Sequence, residues 1–323
     1  MAYIPALDQI QLGQETPTWG TSAAATSKLG LISDCSIDPE VDVEVLPDIR
    51  GSLAPGFVPV LNSHKANASL NGECSYDDLP YMLDSLLQVS TPGAATTYTR
   101  DYLGQLLTAP TRRWYTLYKG SAGKVQKMTG GVVNELGIKI DANKAWTYSA
   151  KLIGKAALDG ALAALSDRSQ TPIHANVTTM YIDLVGGTIG ATLVTSILFS
   201  ADISIKNGAE LYAGVSSLTP LGYVDGPAEA SVKVKMAVDA DTAGYLTAVL
   251  GTSPLQKLIR FKATTGAAQI AQLDFGALLM GSPKINTDQD GVTTFEFEFN
   301  AIYNAALGNW MKASVTNSIA TMV

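Results

Sequence analysis

Few residues in this chain have the types and spacing that chemistry requires, and each such group reads more simply as a structural part. Gly186-Gly187-Thr188-Ile189-Gly190, after the strand-like Met180 to Val185, has the glycine density of a dinucleotide loop. Its first glycine position is held by Val185, however, and no regular βαβ pattern follows. Gly123-Lys124 resembles the end of a phosphate loop, with Tyr118 at the first glycine position and Val125 where a hydroxyl would bind magnesium. Asn286-Thr287-Asp288-Gln289-Asp290-Gly291 mimics a calcium loop, but its twelfth position is Phe297 rather than a bidentate Glu, so it reads as a hairpin turn. His64 and His174 stand in linker-like segments without cysteine neighbours, which makes no metal set. No serine sits in a nucleophile elbow, and the Asp77-Asp78 pair is accounted for by helix capping and the helix dipole. The sequence therefore points away from an enzyme and calls for no cofactor and no metal.

Composition narrows the remaining classes. The 323 residues include 22 Lys and Arg against 29 Asp and Glu, a net charge of -7, which disfavours a grip on nucleic acid. Hydrophobic residues make up 46% and charged residues only 16%, with mean hydropathy +0.15, enough apolar material for packed cores with much surface left for neighbours. The N-terminus lacks the basic start and apolar run of a signal peptide. The weakly polar stretch Leu184 to Phe199 is shorter than the ~18 residues that suggest a membrane span. The expectation is a soluble protein made in a cytoplasm, with no membrane partner.

The elements that hold these residues form a tandem repeat. Ala68, Leu70, Gly72 and Cys74 alternate with Ser69, Asn71 and Glu73; Val232, Val234, Met236 and Val238 alternate with Lys233, Lys235 and Ala237. Period two marks a half-buried strand. Each strand is followed by an Asp able to cap a helix, Asp77 or Asp239, and by an apolar stripe: Leu79, Met82, Leu83 and Leu86 in one copy, Tyr245, Leu246, Val249 and Leu250 in the other, where Gly251 supplies the stop. Matching the copies sets Cys35 against Ile203 and Cys74 against Met236, core-facing positions that predict buried free thiols rather than a disulfide.

In chain order, residues 1–30 read as an N-terminal arm or edge loop, residues 31–165 as a first domain, 166–176 as a linker and 177–323 as a second domain. First strands are expected over Leu31 to Val45 and Ile197 to Leu211. A long loop is expected over Leu46 to Asn67, and an Ala-rich helix over Lys155 to Leu165. The first copy carries an extra run, Thr91 to Thr108, absent from the second. Closing hairpins turn at Asp141 to Asn143 and at Asp290-Gly291, and their strands set Trp146, Tyr148, Ala150 and Leu152, or Phe295, Phe297 and Phe299, on the apolar face. Glu296 and Glu298 take the other face.

The stretch TPTWGTSAAATSKLGLISDCSIDPEVD, together with ANASLNGECSYDDLPYMLDSLL and its Glu73-x-x-Tyr76-x-Asp78 strand end, resembles the major tail tube proteins of long-tailed bacteriophages, in a version with two tube folds in tandem. The second copy lacks Tyr and Glu at the matched places. The resemblance implies a mainly β fold of two β-sandwich tail-tube domains, each with a flanking α-helix, whose inner sheets join across subunits into a barrel. It implies a structural virion protein, assembled in the bacterial host cytoplasm, that polymerises into stacked rings. Those rings would be the conduit for the tape measure protein and DNA, capped by tail terminator and tail tip proteins. Since single-fold relatives close as sixfold rings, a chain with two folds implies rings of three chains.

On that reading Arg50, Leu53, Phe57 and Val60 of the long loop are expected at an inter-subunit or inter-ring contact, because apolar loop residues need a cover. Tyr3, Ile4 and Trp19 belong to the arm, and Glu296 and Glu298 are candidates for an acidic lumen wall that keeps DNA off the surface. A second class stays open on the residues alone: a carbohydrate-binding or adhesive β-sandwich of a tail tip or cell surface. It would need exposed aromatics along a groove, and Trp19, Trp114, Trp146 and Trp310 are scattered.

Overall fold

The computed structural model describes residues 7–46, 58–92, 96–104, 106–107, 110–121, 123–239, 242, 244, 254–281, 283–289 and 291–322. The first repeat contains β1 (Gln9–Glu15), β2 (Ser27–Lys28), β3 (Ile32–Leu46), β4 (Val58–Glu73), α1 (Leu79–Leu86), β5 (Tyr98–Leu103), β6 (Trp114–Ser121), β7 (Lys124–Asp141), β8 (Thr147–Gly154) and β9 (Ala156–Asp159). The second contains β10 (Thr178–Leu184), β11 (Leu198–Lys206), β12 (Glu210–Tyr212), β13 (Gly222–Val224), β14 (Glu229–Ala237), β15 (Gln256–Gly266), β16 (Gln269–Leu279), β17 (Lys284–Gln289), β18 (Val292–Ala301) and β19 (Met311–Asn317). The protein is mainly β, and its large sheets are antiparallel throughout.

Strand pairing shows two copies of one plan. In the first, β3 pairs with β4, β4 with β8, and β8 with the C-terminal half of β7. In the second, β11 pairs with β14, β14 with β18, and β18 with β17. A back sheet accompanies each: β2-β1-β6-β7-β9 in the first and β10-β15-β16-β19 in the second. One long strand, β7, serves both sheets of its sandwich; in the second repeat the same path is divided between β16 and β17. The two plans then fuse, because β11 adds directly to the free side of β7, with Ser200 opposite Asp141 and Lys206 opposite Glu135. The result is one long sheet in the order β3-β4-β8-β7-β11-β14-β18-β17.

Alternation decides which face of that sheet is dry. Leu70, Ala150, Leu136, Ile205 and Ala230 form one continuous row of buried side chains across β4, β8, β7, β11 and β14, joined on β3 by Cys35. Trp146 is fully buried, and Phe295, Phe297 and Phe299 lie at ring spacings of 5.8 and 6.3 Å along β18. Each such side chain contributes roughly 1.5–3 kcal/mol through burial. Both cysteines are buried and free, as the repeat register predicts; desolvation pushes the Cys35 thiol up to about 12 and the Cys74 thiol further.

Five expectations are corrected. Gln9–Glu15, placed within an arm, is a strand whose Ile10 and Leu12 are buried, with every residue in register with β6. The described part of the long loop is strand: β4 starts at Val58 and pairs with β3 up to Leu46, and the run Val58-Pro59-Val60-Leu61, exposed on both faces, has no apolar alternation to betray it. Lys155 to Leu165 is not helical: Ala156–Asp159 forms β9, since the flank of β7 offers ladder partners from Gln126 to Thr129 that outweigh the helix propensity of alanine. In α1 the N-cap is Asp78, not Asp77, and its side chain makes no cap hydrogen bond. The helix is buried all round rather than on one stripe, packed against β7 and β5. Asp239 accepts from the Thr242 N–H at 2.9 Å while its own N–H donates to Thr242 Oγ1 at 2.7 Å, the reciprocal bonding of a capping box. Tyr245, Leu246, Val249, Leu250 and Gly251 lie outside the described residues. At the first closing turn Asn143 takes the left-handed conformation, φ 63°, that such turns require. Among the described residues no helix is long and apolar enough to cross a membrane.

Candidate assembly surfaces

The joint between the repeats is built from more than β7 and β11. Arg112, just before β6, donates to the carboxylate of Asp225, just after β13; the arginine side chain is buried and the aspartate nearly so. Burial lowers the Arg112 pKa, and the Asp225 charge partly restores it. Beside them Trp114 Nε1 donates to the Tyr223 hydroxyl at 2.9 Å, with Trp19 packed on the same ring. Asn207, at the end of β11, donates to the carbonyls of Leu86 in α1 and Val133 in β7. On the back side, the extra run of the first repeat supplies β5, which pairs with β19 of the second repeat from Leu103↔Lys312 to Tyr98↔Asn317. The buried Arg100 donates to Asn317 Oδ1 and to the carbonyls of Ile319 and Ala320, tying the C-terminal segment down.

Under this joint lie two buried acids. Asp84 is ion-paired with Arg113 at 3.3 Å and accepts from the Ser90 N–H, yet desolvation dominates and raises its pKa to about 6. Asp78 accepts from Arg168 at 2.6 Å and from the Gly30 N–H and is likewise raised, by burial, to about 6. Both acids are held by structural contacts, and neither lines an open cleft with a nucleophile.

The wet face of the long sheet carries charges in register. One rung runs Lys139, Asp202, Lys233, Glu298 across β7, β11, β14 and β18; the next runs Asp141, Ser200, Lys235, Glu296, Lys284 and reaches β17. A third runs Ser36, Ser69, Lys151, Glu135, Lys206, Glu229. Opposite charges in direct cross-strand positions stabilise a sheet, and two such pairs are close, Lys151 to Glu135 at 2.9 Å and Lys233 to Glu298 at 3.5 Å; Lys139 also reaches Asp141 of its own strand at 3.1 Å. Glu296 and Glu298 therefore stand on the polar face, each between or beside lysines. The signal for this was in the sequence, since Lys233 and Lys235 alternate on the strand that pairs with β18.

The sheet ends in two open edges. Among the described residues β3 has a ladder partner only in β4, and β17 only in β18. The distal half of the β3–β4 hairpin extends about 20 Å beyond the sandwich at strand rise and exposes Val41, Val43, Val45 and Leu46 on one strand and Val58, Val60 and Leu61 on the other. Its base is held by the second repeat, where the His64 N–H donates to the Leu218 carbonyl at 2.7 Å. Of the loop residues singled out in the sequence, Val60 lies on this exposed strand, whereas Arg50, Leu53 and Phe57 fall outside the described residues, as do Tyr3 and Ile4 of the arm. Trp19 is half-buried, donating to the Gly130 carbonyl at 2.9 Å. With Trp114 bonded to Tyr223 and Trp146 and Trp310 buried, the four tryptophans are engaged within the fold and do not line a common groove.

A family model described as phage tail tube protein matches residues 7–301, nearly the whole chain and both repeats. No curated protein matches it.

Proposed function

The chain belongs to the phage tail tube protein family, and from that premise we propose that three copies close edge to edge into a ring and that rings stack into the tail tube. Its role is structural and its place is the virion tail. The observation that carries the ring is the β7–β11 pairing, in which one sandwich already continues into the next within a single chain. A head-to-tail contact of this kind generates a ring when its rotation closes. Closure also removes the β3 and β17 edges that would otherwise invite aggregation. Three copies of the long sheet would give a barrel of roughly 24 strands, wide enough for an aqueous channel.

In this reading the charged face lines the lumen. Acidic groups there, Asp34, Asp38, Glu73, Glu135, Asp141, Asp202, Glu229, Glu296 and Glu298, outnumber the lysines 139, 151, 206, 233, 235 and 284. A wall of net negative sign repels the phosphate backbone, and the paired lysines keep the strands from repelling one another. The tape measure protein and then DNA would pass without specific binding. The exposed β3–β4 hairpin supports ring-to-ring contact, because its valines and leucines lack cover in the monomer. Terminator and tip proteins would close the two ends.

Electron microscopy of the concentrated purified chain, with native mass spectrometry of the smallest closed species, tests this. Rings of three chains that stack into tubes are expected. A monomer that persists at every concentration and salt, or rings of six chains, would overturn it.

A further inference from the structure

The internal joint also specifies, residue by residue, how one copy should meet the next. We propose that the β17 edge of one chain seats on the β3 edge of its neighbour in the register of β7 and β11, bringing Lys284 opposite Asp34 of the second copy. This rests on the tube reading and deepens it.

Two correspondences carry the inference. On the accepting side, Ser33-Asp34-Cys35-Ser36-Ile37 of β3 matches Ala201-Asp202-Ile203-Ser204-Ile205 of β11, with the same D-x-S-I order. From the aspartate on, each segment pairs with the central strand of its repeat in the same way: Asp34 and Cys35 stand opposite Asn71 and Leu70, and Asp202 and Ile203 opposite Lys233 and Val232, whereas Ser33 lies in a bulge that Ala201 does not share. On the donating side, Lys139-Ile140 near the end of β7 matches Lys284-Ile285 at the start of β17, and both lysines face the closing strand, Lys139 opposite Thr147 and Lys284 opposite Glu296. Within the chain, Lys139 stands opposite Asp202 and Ile140 opposite Ala201. Carried to the open edges, the first of these rungs becomes Lys284 opposite Asp34, with Ile285 beside the bulge at Ser33.

Burial supplies an independent argument. Ile140 is 2% exposed with β11 alongside it, whereas its counterpart Ile285 is 55% exposed. A β-branched apolar residue at the rim of a sheet, in a position that is buried wherever the next strand is present, marks a missing strand. The charges agree as well: an exposed lysine meets an exposed aspartate, the same sense as the internal rung. The register uses only the base of β3, so the projecting half of the hairpin stays free.

Paired cysteines test the register in the full chain. Lys284→Cys combined with Asp34→Cys should give, on mild oxidation of assembled material, covalent species up to a closed trimer on denaturing gels. Lys284→Cys combined with Ser36→Cys, one face-equivalent step away, should give at least tenfold less. Cys35 and Cys74 are buried thiols and stay out of the exchange. In parallel, Lys284→Glu and Asp34→Lys should each slow assembly about tenfold, and the double exchange should recover it to within about threefold. Cross-linking through the shifted pair, or tubes in which neither pair cross-links, would overturn the register and leave the tube reading standing. An unmodified chain that forms no rings would overturn both.

Discussion

Arg112 and Asp225 form a buried ion pair that joins the two repeats of the chain, one side chain from the approach to β6 and the other from the exit of β13. The Arg112 side chain is 1% exposed and that of Asp225 9%, so loss of the aspartate leaves a largely desolvated guanidinium without its counter-charge. Asp225→Ala should lower the stability of the chain by about 3 kcal/mol or more. Arg112→Met combined with Asp225→Leu should lower it by less, because no orphaned charge remains. Urea unfolding of the two variants checks the order; equal losses would show that packing rather than charge holds the joint.

Asn207 gives a second handle on the same joint. Its amide satisfies the carbonyls of Leu86 and Val133, and its own carbonyl accepts from the Ala209 N–H at 2.8 Å. Asn207→Leu keeps the volume and strands these groups, for an expected loss of about 1–3 kcal/mol. Hydrogen exchange should quicken at Ala209 and across the β7–β11 rungs.

The hairpin separates stability from stacking. Val43→Glu or Val60→Glu changes side chains that touch little in the monomer, so its stability should move by no more than about 0.5 kcal/mol. Tube elongation should nonetheless fail. Phe57→Ala and Arg50→Glu, between the two strands, are expected to act in the same way, the aromatic truncation weakening the contact by about 2 kcal/mol. Tubes of ordinary length from all four variants would count against the hairpin as the ring-to-ring contact.

Stability should rise on mild acidification. Asp78 and Asp84 have folded pKa values of about 6, raised by burial from the ordinary 3.8, and burial raises Glu15 as well. Between pH 6 and pH 4 the folded chain therefore binds protons that the unfolded chain does not, so stability grows as pH falls through that window and is lost as pH rises through it. Each buried aspartate contributes on the order of 2 kcal/mol to this change. The urea midpoint should be higher at pH 5 than at pH 7, and Asp84→Asn should flatten the difference.

The sequence by itself determined the mainly β character, the strand faces and the burial of both cysteines. Period-two alternation in Ala68 to Cys74 and Val232 to Val238 follows directly from which side chains must leave water, and a hairpin turn at Asp141 to Asn143 is local chemistry. The approach of β5 to β19 is different: Tyr102 and Ala313 stand opposite each other across more than two hundred residues, and no local pattern selects that partner. Ala156–Asp159 became a strand, against the helix propensity of its alanines, because β7 presented an unfilled ladder beside it. The start of β4 hid for the opposite reason, since Val58-Pro59-Val60-Leu61, exposed on both faces, has no alternation to read. The pairing of Lys233 with Glu298, and of β11 with β7, likewise waited on the tertiary structure. Sequence sets the faces of strands, but their neighbours are chosen by which edges remain unsatisfied once the sandwiches have formed.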